Sequence, residues 1–179
     1  MEDYPIYYVW KYTFRTFLFR AHVMKTKEVF TQLDNLMPLF RERLAAGQKV
    51  RFSPRGISML PMLRQGIDTV TLSPLPEKLK KYDLPLYRRA DGKYILHRIV
   101  EAGDTYTCIG DNQFVYETGL YHGQMIALVT SFTRGGKEYS VTDWRYLLYC
   151  RFWHHSRPAR RFLRRARSWL GRQIKQIFC

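Results

Sequence analysis

Ser58, His97 and Asp111 are the residues whose types and spacing could do chemistry together. A serine hydroxyl attacks a carbonyl only when a base takes its proton, and the base works best when a third group fixes its tautomer. Ser58 lies in Gly56-Ile-Ser-Met-Leu-Pro-Met-Leu63, where Gly56 frees the backbone for a sharp bend and Pro61 stops an ordinary helix from continuing. Such a bend exposes the hydroxyl and leaves main-chain amides, that of Ser58 among them, for a developing oxyanion. Gly56, Met59 and Pro61 are thus its cleft and oxyanion support. His97, in Tyr94-Ile-Leu-His97-Arg-Ile-Val100, has an ordinary pKa near neutrality and suits the base. Asp111, in the Ile109-Gly-Asp-Asn112 turn, is the carboxylate that would orient the imidazole. Each has a plainer reading: a turn hydroxyl, a structural histidine, and an aspartate bonding its own backbone. Their combination points to hydrolysis by a serine.

The order of these stretches resembles a known family. Gly-Ile-Ser58-Met-Leu-Pro, then Tyr82-Asp83-Leu-Pro-Leu, then His97-Arg-Ile, then Gly110-Asp111-Asn112 follow the boxes of type I signal peptidases, across residues 49–141. The pattern is similar to the endoplasmic-reticulum and archaeal-like branch, in which histidine replaces the bacterial lysine. The resemblance implies a strongly bent antiparallel β domain and cleavage of signal or leader peptides. It also implies a place for a second acid, where Glu117 stands, although Thr118-Gly-Leu-Tyr121 departs from the usual surroundings. The side-chain hydroxyl that the bacterial branch places two residues before the nucleophile is missing, because that place is Gly56. The family is usually fixed by a spanning helix, and no stretch here is apolar enough to be one.

Rival groups lack a comparable setting. Lys93 shares a strand face with His97 but has no motif around it. His122, His154 and His155 read as surface residues. The three cysteines, Cys108, Cys150 and Cys179, form no redox or zinc pattern, so neither metal nor cofactor is expected.

The elements that must position the site follow from periodicity. Residues 1–23 are an aromatic and basic extension, either an interfacial anchor or a stretch preceding a true start at Met24. Residues 24–47 read as a helix with Val29, Phe30, Leu33, Leu36, Met37, Phe40 and Leu44 on one stripe. From residue 48 to residue 142 short strands predominate: 50–52, 68–72, 84–88, 93–100, 105–109, 124–133 and 137–141, with Asp91-Gly92 and Gly135-Gly136 as hairpin turns. Pro85 suggests that 84–88 is short or at an edge. The fold class is mainly β, a barrel-like antiparallel domain between an N-terminal helix and C-terminal basic amphipathic helices.

Residues 143–179 form that basic tail. From Trp144 onward there are ten Lys/Arg and no Asp or Glu, two-thirds of the formal net charge of +15. Phe162, Leu163, Ala166, Trp169, Leu170, Ile174, Ile177 and Phe178 fall on one side and arginines on the rest, the pattern of a helix lying in a membrane interface. An anionic membrane surface contacted by residues 144–179 is the favoured partner; nucleic acid, an acidic protein and docking on the protein's own body are the alternatives. The expected localisation is peripheral, on the cytoplasmic membrane, with the cytoplasm second. Two other functions compete with the peptidase: an inactive β module with a binding tail, and an SOS-repressor-like protein cleaving itself at Ala46-Gly47.

Overall fold

The computed structural model describes residues 22–177, with side chains from 33 to 170. The expectation for residues 1–23 falls, but for its last two positions, outside that range. Helix α1 (His22–Ala45) follows the apolar stripe and buries Met37, Phe40 and Leu44. Leu36, expected on the stripe, is exposed. The helix closes where the amide of Gly47 donates to Leu44 O at 3.0 Å and that of Gln48 to Arg43 O at 2.9 Å, a paired C-terminal cap.

The strands are β1 (Val50–Phe52), β2 (Val70–Ser73), β3 (Pro85–Arg88), β4 (Tyr94–Leu96), β5 (Arg98–Ala102), β6 (Tyr106–Ile109), β7 (Glu117–Leu120), β8 (Met125–Arg134) and β9 (Lys137–Ser140). All pairings are antiparallel. Six strands form one sheet in the order β1-β2-β8-β3-β4, with β9 also paired to β8. The other three form a sheet in the order β5-β6-β7. Strand β8 is ten residues long, which lets it pair with β2, β3 and β9. Pro85 does not force an edge: it is the first residue of β3, which lies between β8 and β4, so its missing donor costs little.

Two findings correct the mainly-β, barrel-like expectation. Among the described residues the strands close no barrel, and helix and strand content are roughly equal. The single strand expected over 93–100 is broken at His97: β4 belongs to the large sheet and β5 to the small one. The chain therefore changes sheets at His97 instead of continuing one sheet around a barrel.

The C-terminal helices α2 (Trp144–His155) and α3 (Arg157–Ile177) differ sharply. Asp143 caps α2 by accepting from the amide of Arg145 at 2.8 Å. Tyr146 and Cys150 of α2 enter the same core as Met37 and Phe40 of α1, Met59, Met62 and Leu63 of the serine segment, and Val70, Leu86 and Val129 of the large sheet. Burying a side chain of the Leu or Met kind contributes about 1.5–3 kcal/mol. The serine segment is thus anchored by core burial on one side and open on the other. A second cluster joins Tyr87, Ile99, Tyr106, Cys108 and Leu120 under the small sheet.

Candidate active site

The break at His97 delivers the imidazole to the seam between the sheets, where its side chain is only 2 % exposed. Its Nδ1 lies 3.0 Å from Glu117 Oε1. A carboxylate accepts and does not donate, so Nδ1 bears a proton, and Nε2 is the nitrogen left to serve as a base in the neutral ring. Glu117 is itself held: Arg89 donates to both carboxylate oxygens at 2.7 and 2.5 Å, and Tyr87 Oη donates to Oε2 at 2.9 Å. Burial would push the Glu117 carboxyl up, but the hydrogen bonds from Arg89, His97 and Tyr87 outweigh it and hold it well below the usual carboxylate range. The same burial and carboxylate push the Tyr87 phenol up, so it stays a donor.

The other face of the imidazole looks onto Gly110. A Cβ placed there would meet Ser58 O at 2.7 Å, His97 Nε2 at 3.0 Å and Gln113 Oε1 at 3.1 Å. Only glycine lets the three approach, so Nε2 and the backbone of Ser58 flank one small space. The turn that follows fixes the serine segment: the amide of Asn112 donates to Ser58 O at 2.8 Å and Asn112 Nδ2 to Ile57 O at 3.2 Å. Ser58 itself is half-buried. Among the described residues, Ser58 Oγ makes no hydrogen bond, so the hydroxyl and His97 share a site without being joined in this state. The amides of Ser58 and Met59 likewise donate to no acceptor among the described residues, leaving two donors beside the hydroxyl.

The supporting residues divide by role. Gly56 has φ +102°, the left-handed backbone that glycine tolerates, but its amide is taken by Gln65 Oε1 at 3.0 Å and is not an oxyanion donor. Met59 is buried and pins the segment. Pro61 O accepts from Arg134 Nη1 at 2.7 Å, tying the far end of the segment to β8. Below it, Arg64 grips the buried Asp68 through Nε at 2.9 Å and Nη2 at 2.7 Å. Burial pushes the Asp68 carboxyl up, yet the Arg64 bonds bring it below its ordinary value.

Asp111 is the main correction. It does not hold the imidazole. Its carboxylate receives Arg98 Nε at 2.9 Å and Arg98 Nη2 at 2.8 Å, and Tyr149 Oη donates to Oδ2 at 2.9 Å. Arg98 also donates through Nη1 to Tyr146 Oη at 2.6 Å and to Cys150 Sγ at 2.9 Å, and through Nη2 to Met62 Sδ at 3.0 Å. Burial would lower the Arg98 pKa, but Asp111 raises it well above its ordinary value. The pair clamps β5, the Gly110 turn, the serine segment and α2 into one body. The carboxylate that meets the imidazole is that of Glu117.

Sequence reasoning missed Tyr87, Arg89 and Arg98. Tyr87 in β3 and Arg89, one residue past its end, are two apart and reach the same carboxylate, a period-two signal in the sequence. Arg98 follows His97 directly, so strand alternation turns it toward the core, where a cation requires an acid. Lys93 is outside the site, 3.1 Å from Asp91. His122 meets Tyr106 Oη at 3.2 Å. Cys108 offers no rival nucleophile, because burial and then Glu117 push its thiol up to about 12. The Ala46-Gly47 bond lies inside the hydrogen-bonded cap of α1, away from the extended conformation that cleavage needs. No group of acidic, His or Cys side chains among the described residues could hold a metal ion.

Comparison with protein-family models, curated proteins and solved structures finds no match.

Proposed function

We propose that the protein is a serine endopeptidase of the signal-peptidase type, acting on signal or leader peptides with Ser58 as nucleophile and His97 as base. The observation that carries this reading is the alignment through one imidazole. Glu117 holds Nδ1, and Nε2 emerges against Gly110 beside Ser58. In the reaction, Ser58 Oγ attacks the scissile carbonyl while its proton passes to His97 Nε2. The amides of Ser58 and Met59 hold the oxyanion. Collapse breaks the C–N bond, and the leaving amine takes the proton from Nε2. Water then repeats the sequence on the acyl-serine, with His97 again as base, and restores the hydroxyl. The hydroxyl and Nε2 must close to hydrogen-bond distance in the substrate complex, in keeping with the looser catalytic hydrogen bonds of unliganded enzymes.

Among the described residues no helix is long and apolar enough to cross a membrane. The enzyme would instead meet its substrate at a membrane surface, held there peripherally by the basic C-terminal segment. The second reading, a binding module without catalysis, is favoured by one observation: the absent hydrogen bond between Ser58 Oγ and His97.

The test is cleavage of a leader peptide by the purified full chain and by its Ser58→Ala and His97→Ala variants. Loss of turnover in both, with circular dichroism unchanged, supports the peptidase. Undiminished turnover in either rejects the dyad.

A further inference from the structure

Helix α3 joins the body at its first turn and then presents a face unpartnered among the described residues. Arg160 donates to Asp111 O at 3.2 Å and to Trp153 O at 2.6 Å, so α3 starts beside the turn that supports the site. Farther along, Phe162, Leu163, Trp169 and Leu170 lie on one side and are all more than half exposed. Contiguous exposed apolar surface on a helix otherwise lined with arginines needs a cover that is both apolar and anionic.

A cleft of about 480 Å³ opens at the same end, between residues 114–116 and the first turns of α3, with Phe162 at its rim. Arg157 lines it and is only 4 % exposed. The Nε–H of Arg157 is buried without an acceptor, and no carboxylate pairs with its guanidinium among the described residues. Its contacts are His154 Nδ1, 3.2 Å from Nη1, and the Tyr116 ring, 5.8 Å away. Burial first, and then Arg157, holds the His154 pKa below its ordinary value, so a neutral imidazole accepts from the arginine and adds no counter-charge. Glu101, the carboxylate whose field reaches His154, is engaged by Thr107 Oγ1 at 3.1 Å. Arg161 and Arg165 border the same cleft. A buried cation lacking an anion among the described residues, with two more arginines beside it, is a setting whose charge an anionic group such as a phosphate would balance.

We propose that this cleft takes the phosphate of an anionic phospholipid headgroup while Phe162, Leu163, Trp169 and Leu170 enter the same bilayer surface. The inference deepens the peripheral-membrane part of the proposed function and is independent of the peptidase chemistry. Nucleic acid would satisfy the arginines and leave the apolar face in water, so lipid is the better match. Because Arg160 ties α3 to Asp111, docking of the helix holds the Ser58 cleft at the bilayer, where a leader segment would be presented.

The test is flotation of the full chain with vesicles of phosphatidylcholine alone and of phosphatidylcholine mixed with phosphatidylglycerol. The expected result is flotation only with phosphatidylglycerol. Arg161→Glu/Arg165→Glu and Phe162→Ser/Trp169→Ser, all at exposed positions that leave the fold intact, each weaken it by roughly tenfold or more. Arg157→Lys, which keeps the charge and loses the planar fork, weakens it without abolishing it. Equal flotation on both vesicles, none on either, or indifference to both double variants overturns the proposal. So does duplex DNA displacing the protein from vesicles, or saturable binding of inorganic phosphate without flotation. Ser58→Ala must float like the parent chain, so a failed membrane arm and a failed peptidase arm are read separately.

Discussion

His97 Nδ1 is 3.0 Å from Glu117 Oε1, while the carboxylate of Asp111, next to the glycine that Nε2 faces, is committed to Arg98. Two acids flanking one histidine thus have different work. Glu117→Gln can present an amide N–H to Nδ1, which would move the imidazole proton to Nε2, the wrong atom for a base. The expected outcome is a fall in kcat of roughly a hundred- to ten-thousand-fold with KM little changed, measured on a leader peptide. A near-normal kcat would show that Glu117 does not set the tautomer.

Asp111→Asn should act on stability instead. It leaves the Arg98 guanidinium buried without its charge partner, and breaking a buried pair costs about 3–5 kcal/mol. Urea unfolding should show a much lower midpoint for this variant than for Glu117→Gln. The double change Arg98→Met/Asp111→Leu, which removes both charges, should recover a good part of the loss. A stable but inactive Asp111→Asn would return the aspartate to the catalytic machinery.

These contrasts mark where the sequence was legible. Val70 and Leu72 alternate inward and Gly135-Gly136 turns a hairpin, so the large sheet could be read from local pattern. The break at His97 could not, because Ile95, His97 and Ile99 keep strand period straight through it; only the exchange of partner strands reveals it. Strand β7 was missed for another reason. Glu117-Thr-Gly-Leu120 has little intrinsic strand preference, and its pairing with β6 imposes the conformation that aims Glu117 at the imidazole. Helix α2 was legible as a helix, but exposed Arg145 and Arg151 concealed that its other face carries Tyr146 and Cys150 into the core. The serine, the histidine and the order of the turns were readable because they are local. Glu117 was readable only as a second acid, because which carboxylate meets the imidazole depends on which sheet edge meets which.

Gly110→Ala tests the shared space directly. The added methyl would lie 2.7 Å from a backbone oxygen and 3.0 Å from Nε2, so either the serine segment or the imidazole must shift. Overpacking of this kind costs about 1–3 kcal/mol. Displacing a reacting group by about an ångström costs roughly a hundredfold in rate. A folded protein with kcat reduced on that scale is expected. Full activity would mean that Ser58 and Nε2 do not work across Gly110.

The last prediction concerns acid. Arg89, His97 and Tyr87 hold the Glu117 carboxyl below its ordinary value of 4.5, so in falling pH the unfolded chain takes up this proton before the folded one does. More protons on the unfolded state means that stability drops as pH falls. The Glu117 contribution is complete above pH 4.5 and is lost progressively below it, toward the depressed folded-state value. Asp68, lowered in the same direction by Arg64, adds a similar slope that persists in any Glu117 variant. Urea midpoints measured from neutral pH downward should therefore fall more steeply for the parent chain than for Glu117→Gln, the two curves converging in acid. Parallel curves would mean that Glu117 gains nothing from its three partners, and the held imidazole on which the proposed chemistry depends would lose its support.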